Sequence, residues 1–293
     1  MTPGLIAPAV IAVASALVVA WLRRRLPPRA AILVLTLAAV FAAATVVWAL
    51  ALLVLGTLLG VPEVVAQLAW CREALLVGHG APPLVGAVAG GLLAVGIARV
   101  VLFDVRWRRS LHRHRHAGEM QVLDVSERVA YSVPGRNGTV VLSRGLLRAL
   151  EPSERAAVLA HERCHLERRH HRYLRLAGLS AAAVPGLGAL ARCVRVATER
   201  EADEAAADAV GDRRTVARAI AAAIGSHSPL SASAAGEHAV TERIHSLLYP
   251  NPIAWLTAAA VLMGTIGALT TFSSSTVQLH HLLLFVAHVC RLS

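Results

Sequence analysis

His161-Glu162-Arg163-Cys164-His165 places two imidazoles and a carboxylate within five residues. On an α-helix the two histidines stand one turn apart on the same face, so both rings reach one metal ion, while Glu162 is rotated by about 100° and still borders the site. Two neutral imidazoles suit Zn2+, and the carboxylate suits a general base that takes a proton from an attacking water and returns it to a leaving amine. The implied chemistry is peptide-bond hydrolysis. A solvated helix face with the same five residues is the competing reading. Leu159 and Leu166 on apolar faces, and a third ligand downstream, weigh against it.

Two residues compete for that third position. His171 follows His165 by six residues, a spacing used where the chain turns sharply after the motif, but that turn needs glycine at the position of Arg168. With arginine there, a helix starting at Pro152 is expected to continue to about Arg172 and to carry His171 about 9 Å further along its axis. Glu199-Arg200-Glu201-Ala202-Asp203 offers instead two carboxylates one turn apart: Glu199 to bind metal, Asp203 to accept a hydrogen bond from a ligating imidazole. Glu199 is therefore favoured. Glu201 then faces elsewhere and is expected to be solvated, as are His170 and His171, and Cys164 has no ligand geometry.

These residues sit in a chain of 293 residues, 56% hydrophobic, with a mean hydropathy of +0.58, the composition of a membrane protein rather than a soluble domain. The formal charge of +11 comes from arginine alone. No aromatic residues interleave a basic surface, so a nucleic-acid partner is not expected and the partners are a protein substrate and the lipid bilayer. Residues 5–22, 30–60, 81–103 and 253–272 read as four spans, the first uncleaved because Arg23, Arg24 and Arg25 follow it. The arginine bias puts the amino terminus outside and residue 104 onward in the cytoplasm, at a bacterial plasma membrane. His112-Arg113-His114-Arg115-His116 is expected to meet anionic headgroups. Cys71, Cys164, Cys193 and Cys290 are scattered, without the spacing of a disulfide framework or a thiolate metal site.

The resulting organisation has three parts: a membrane region with three spans (1–103), a cytoplasmic membrane-proximal zinc peptidase domain (104–250), and the last span with a short tail (251–293). Residues 128–133 and 139–143, separated by Pro134-Gly135-Arg136-Asn137-Gly138, read as a small hairpin. Glu199 can join His161 only from the same side of the membrane. The apolar stretch at about 176–190, too short to cross twice, is thus expected to form a re-entrant or core-buried hairpin turning at Pro185-Gly186.

The run from Thr139-Val140-Val141-Leu142-Ser143 through Gly145-Leu146-Leu147 and Ala157-Val158-Leu159-Ala160-His161-Glu162 to Glu199-Arg200-Glu201-Ala202-Asp203 resembles the membrane gluzincins. These include the bacterial heat-shock membrane proteases and the CaaX prenyl proteases. It looks closer still to the bacterial antirepressor metallopeptidases that relay β-lactam sensing, here without a sensor domain. The resemblance implies a mainly α fold of polytopic membrane helices with an HExxH zincin-type catalytic domain, Zn2+ as cofactor, and Glu199 as ligand. It also implies that Thr139–Ser143 is a strand edge on which an extended substrate pairs. The heat-shock and prenyl proteases carry a histidine-proline pair upstream of Arg-Ile. Here Glu237-His238-Ala239 precedes Arg243-Ile244 without the proline and one residue short, so oxyanion stabilisation by His238 or Arg243 competes with a packing or salt-bridging role. The resulting expectation is a zinc-dependent membrane endopeptidase acting on a cytoplasmic or membrane-proximal protein, with a transcriptional repressor as the target the resemblance suggests. The alternative is a non-catalytic, zinc-stabilised membrane scaffold or signalling protein.

Overall fold

The computed structural model describes residues 26–58, 82–113, 118–135, 138–224 and 234–249, with a few positions before residue 18. The expected spans at 5–22 and 253–272, the segment 61–80, the tail and the side chains of 112–116 lie outside the described residues. The described chain is mostly helical with one small sheet. Two long helices come first, α1 (Pro28–Leu58) and α2 (Pro83–Arg113), each 31 residues. Both are long and apolar enough to cross a membrane. Then come β1 (Met120–Leu123), β2 (Ala130–Val133), β3 (Thr139–Ser143), a short α3 (Arg144–Ala149), α4 (Pro152–Glu167) and α5 (His170–Ala183). After a single 3-10 turn at Pro185–Leu187 come α6 (Gly188–Val210), α7 (Arg213–Ile224) and α8 (Ala234–Leu248).

The sheet corrects one expectation. Its order is β1-β3-β2: β3 pairs in parallel with β1 (Gln121 opposite Val141) and antiparallel with β2 (Tyr131 opposite Val141). Thr139–Ser143 is therefore the central strand, buried along its whole length, and the edge strand beside the helices is Ala130–Val133. The run Val140-Val141-Leu142 is apolar without alternation, as a strand covered on both faces must be. Ser143 locks the sheet to helix α3. Its hydroxyl accepts from the Leu146 amide at the start of α3, accepts from the Val129 amide and donates to the Glu127 carbonyl. The loop leading into β2 is thereby fixed from both sides.

A second correction concerns the helix after the motif. It does not run on to Arg172: α4 ends at Glu167, and Arg169 takes the left-handed conformation (φ 54, ψ 41) before α5 begins. A non-glycine residue there costs about 1 kcal/mol, so tertiary contacts must hold the turn.

Two apolar cores meet across α6. One is made by the first half of α1 (Ala31, Ile32, Leu35, Ala39, Ala42) against Ala177, Leu187, Leu190, Val194 and Ala197 of α5, the turn and α6. The apolar stretch at 176–190 is thus a helical hairpin turning at Pro185–Leu187, with both arms laid on α1. The other core packs Val140, Leu142, Leu146, Ala157, Ala206, Val216, Ala219 and Leu247 between the sheet, α4, α6, α7 and α8. Helix ends obey local chemistry. Pro152 opens α4, and the Glu154 carboxylate accepts from the Glu151 amide. Gly211 (φ 72) closes α6, and Asp212 accepts from the Arg214 and Thr215 amides to open α7.

Gly145 lies where the loop before β2 crosses the start of α3, and a Cβ there would stand 1.9 Å from the Ser126 carbonyl oxygen. The obstruction is backbone, which cannot swing aside. Gly145→Ala is expected to destabilise the protein by about 1–3 kcal/mol, read as a lowered midpoint in detergent-solubilised thermal unfolding. An unchanged midpoint contradicts this packing.

Candidate active site

Helix α4 presents His161 and His165 toward α6, which returns Glu199 to them. The donor atoms of the three side chains face one another: His161 Nε2 to His165 Nε2 is 3.2 Å, and the two Glu199 oxygens lie 3.6 Å (Oε2) from His161 Nε2 and 3.7 Å (Oε1) from His165 Nε2. Ligands at zinc-type bond lengths in a tetrahedron are separated by about 3.3 Å, and one donor atom from each of the three residues lies within 4.8 Å of the others, so the set is of a size to hold such an ion. Among the described residues this is the one group of three or more donors with that spacing. His171 is not part of it.

Each histidine is held from behind. His161 Nδ1 lies 3.0 Å from Asp203 Oδ1, and Asp203 is 1% exposed. The guanidinium of Arg243, from α8, grips the same carboxylate through Nε (2.8 Å) and Nη2 (2.6 Å), while its Nη1 lies 3.1 Å from Glu199 Oε2. Arg243 thus ties Asp203 and Glu199 of α6 in place. The side chain of His238 lies outside the described residues.

His165 has a different support, and here two expectations of solvation fail. His170 is 1% exposed. Its Nδ1 lies 2.8 Å from His165 Nδ1 and its Nε2 lies 2.9 Å from Glu201 Oε2. Glu201 does face away from Glu199 and Asp203, as its position on the helix requires, but it faces His170 rather than water. The run Arg168-Arg169-His170-His171-Arg172 is a helix-end signal that would have allowed the break to be seen.

A cleft of about 540 Å³ opens on this centre. One wall is strand β2 with Val129, Ala130, Tyr131 and Ser132; the opposite wall is apolar, from Ala157 and Val158 of α4 and Val216, Ala219, Ile220 and Ala223 of α7. Glu162, His161, His165, Glu199 and Arg243 line it between them. Glu162 is buried, and burial raises its carboxyl pKa, with the Glu199 charge adding to the effect against the opposing pull of His161, Ser132 and Arg243. Burial also pushes the Cys164 thiol up to about 11, leaving it neutral beside the cluster.

The profile of Peptidase family M48 matches residues 108–280, more than half of the chain, and includes every residue of this cluster. The chain belongs to peptidase family M48. No curated protein and no solved structure matches it. Membership makes it a metallopeptidase, and the His161, His165 and Glu199 group is where an M48 metal ion fits.

The electrostatics of this M48 site make a countable prediction. Burial works against a charged His161 ring, but Asp203 and Glu199 outweigh it and carry its pKa up to about 10. Burial instead takes His165 down to about 4, and hydrogen bonding to His161 together with the Arg243 charge holds Glu199 low despite its burial. Near neutral pH only His161 carries a proton that a metal must displace. Metal binding between pH 7 and 9 is therefore expected to release about one proton and to tighten about tenfold per pH unit. Calorimetry in buffers of different ionisation enthalpy reads the number, and zero release sinks this assignment. In the same assay Glu199→Ala is expected to lose the metal and His171→Ala to keep it.

Proposed function

We propose that this M48 protein is a zinc-dependent membrane endopeptidase that cleaves a cytoplasmic or membrane-proximal protein, a transcriptional repressor being the substrate that its sequence resemblance favours. The observation that carries the reading is the buried carboxyl of Glu162 lying in the same cleft as the three-donor centre. A folding-only metal site needs the ligands but not a cleft, and not a general base beside them.

His161, His165 and Glu199 would hold the zinc ion, which when bound would supply Lewis acidity to the scissile carbonyl and to water. The protein does the rest. Glu162, with its pKa raised by burial, is poised to accept a proton from the attacking water on its carboxylate and to hand it to the departing amine nitrogen. Strand β2 offers an extended substrate a main-chain edge to pair with, which aligns the bond to be cut along the cleft. The α7 wall receives the neighbouring side chain. Since Val216, Ala219, Ile220 and Ala223 are all small or aliphatic, an apolar side chain fits there and a charged one loses its solvation. Arg243, already committed to Asp203 and Glu199, acts by holding those carboxylates.

The membrane placement rests on arginines. Arg29 opens α1 close enough to Glu201 for its charge to be felt there, and near the far end of α2 Asp104 binds Arg175 of α5. Both long helices thus have arginine-bearing ends on the side of the catalytic centre, with Arg106, Arg108 and Arg109 beyond Asp104 on α2. The bias of arginine toward the cytoplasmic side supports a cleft on that side.

Proteolysis of a protein substrate by the full-length enzyme in liposomes tests the proposal. Glu162→Gln is expected to keep one zinc per chain while cleavage falls about 10²–10⁴-fold, and a chelator is expected to stop the wild type. Equal rates for variant and wild type would refute Glu162 as the base; folding that needs zinc with no cleavage by either form favours the scaffold. Within the active enzyme, Ala223→Phe is expected to lower kcat/KM about tenfold or more for peptides with leucine beside the cut, and less for alanine. Equal losses for both peptides contradict the α7 wall as the side-chain pocket.

A further inference from the structure

We infer that His170 and Glu201 form a positioning relay that fixes which nitrogen of His165 faces the metal; the inference rests on His165 being a ligand. The geometry is a chain of three groups across three helices. His165 Nδ1 meets His170 Nδ1 at 2.8 Å, and His170 Nε2 meets Glu201 Oε2 at 2.9 Å. The rings of His165 and His170 stand edge to face, 4.8 Å between centroids.

Two nitrogens in hydrogen-bond contact share one proton, so the direction of the bond has to be decided. Glu201 decides it. A carboxylate accepts only, so the proton of a neutral His170 sits on Nε2 and its Nδ1 presents a lone pair. That lone pair accepts from His165 Nδ1–H, which leaves His165 Nε2 as a lone pair aimed at His161 Nε2 and Glu199. The metal-competent tautomer of His165 is thus set from Glu201, two hydrogen bonds away. At His161 a single carboxylate, Asp203, stands in the corresponding place behind Nδ1. The other oxygen of Glu201, Oε1, lies 3.8 Å from Arg168 Nε, so the carboxylate has a cation on one side and His170 on the other.

The backbone is built to deliver this ring. In an uninterrupted helix His170 would point about 140° away from His165 at 100° per residue. The left-handed Arg169 swings it back, and His170 then becomes the most deeply buried polar ring described, 1% exposed, with both nitrogens partnered. A residue strained into place, buried, and saturated by a ligand on one side and a carboxylate on the other is doing more than filling space. Carboxylate-supported imidazole ligands typically lose 10–100-fold in metal affinity when the support is removed.

The test uses the full-length protein in detergent at fixed pH, with zinc affinity read by chelator competition and the ligand field read from the visible absorption of the cobalt(II)-substituted protein. His170→Phe keeps a ring of similar size without an acceptor, and is expected to weaken zinc binding 10–100-fold and to shift the cobalt spectrum. His170→Asn places an amide oxygen near the former Nδ1 and is expected to recover most of the affinity. Glu201→Ala is expected to reproduce the Phe effect, whereas Glu201→Gln, still an acceptor, shows less. If His170→Phe binds zinc like wild type with the same cobalt spectrum, the relay is overturned while the three-ligand centre stands. If Phe and Asn weaken binding equally, in step with a lowered unfolding midpoint, His170 is only structural and the inference fails. A wild type that binds no zinc overturns the centre itself, an outcome visible before any variant is made.

Discussion

A buried carboxylate cannot be left alone in a protein interior, and in this molecule Asp203 is where that constraint is concentrated. It is 1% exposed, and it is satisfied by the bidentate fork of Arg243 and by His161 Nδ1. The three groups come from three different helices, α6, α8 and α4. An ion with two partners in place is tolerable in low dielectric, whereas losing one partner strands a charge at a cost of several kcal/mol. The pairing therefore makes the registration of the three helices mutually dependent. If α8 moves, Asp203 loses its counter-charge and His161 loses its orientation. Arg213 adds a second tie of α8, through the Leu247 carbonyl, to Glu204 on the same α6. Glu199, one turn before Asp203, inherits its position from that arrangement.

The two long helices support the same centre. At 1.5 Å per residue α1 is about 46 Å long, well beyond the roughly 30 Å of a hydrocarbon core. The surplus is used inside the peptidase. The half of α1 nearest Pro28 is built into the core with α5 and α6, through alanines at 31, 39 and 42 that let the helices come close, while Val47, Trp48, Leu55 and Leu58 in the other half are exposed. Helix α2 divides in the same way. Leu84, Val88, Leu92 and Val95 are exposed, but at Gly96 a Cβ would already stand 3.1 Å from the Ala183 carbonyl, and Arg99 Nε donates to the carbonyl of Ala182. That bond caps the end of α5, whose last carbonyls have no partner within the helix. The apolar stretch at 176–190 owes its composition to burial between these helices, since Leu187 and Leu190 are fully buried against α1.

Legibility in the chain divides along the range of the interactions. The pairing of His161 with His165, and of Glu199 with Asp203, is a helix-period argument, and each pair lies on one face as that period demands. The turn at Pro185–Leu187 is announced by proline and glycine. The edge strand is not legible, because it depends on β1 pairing in parallel with β3 across an intervening strand and loop, a non-local contact with no short-range signature. The unbroken apolar run of β3 is nevertheless a clue to its central place. The break at Arg169 is hidden for another reason. A left-handed residue is expected to be glycine, and the tertiary gain that lets an arginine stand there lies in the bonds made by His170, one residue on.

That break also explains why His171 lies outside the group formed by His161, His165 and Glu199. A sharp turn after the motif ordinarily takes glycine at the position of Arg168 and, with it, brings a histidine at the position of His171 to the metal. The turn is present, one residue later than such a glycine would place it, at Arg169. It brings His170 to the back of His165 instead. The Nε2 side of His165 is already occupied by Glu199, whose carboxylate is fixed by Arg243. A third histidine in front would leave Glu199 and Arg243 as a buried pair without a task. With the glutamate in front and the histidine behind, Glu199, Glu201 and Asp203 each have a partner. The positive charge of Arg243 offsets Glu199 and Asp203, and Glu201 is answered by His170 within the fields of Arg168 and Arg29. The arrangement around His165 is thus settled by charge compensation as much as by reach.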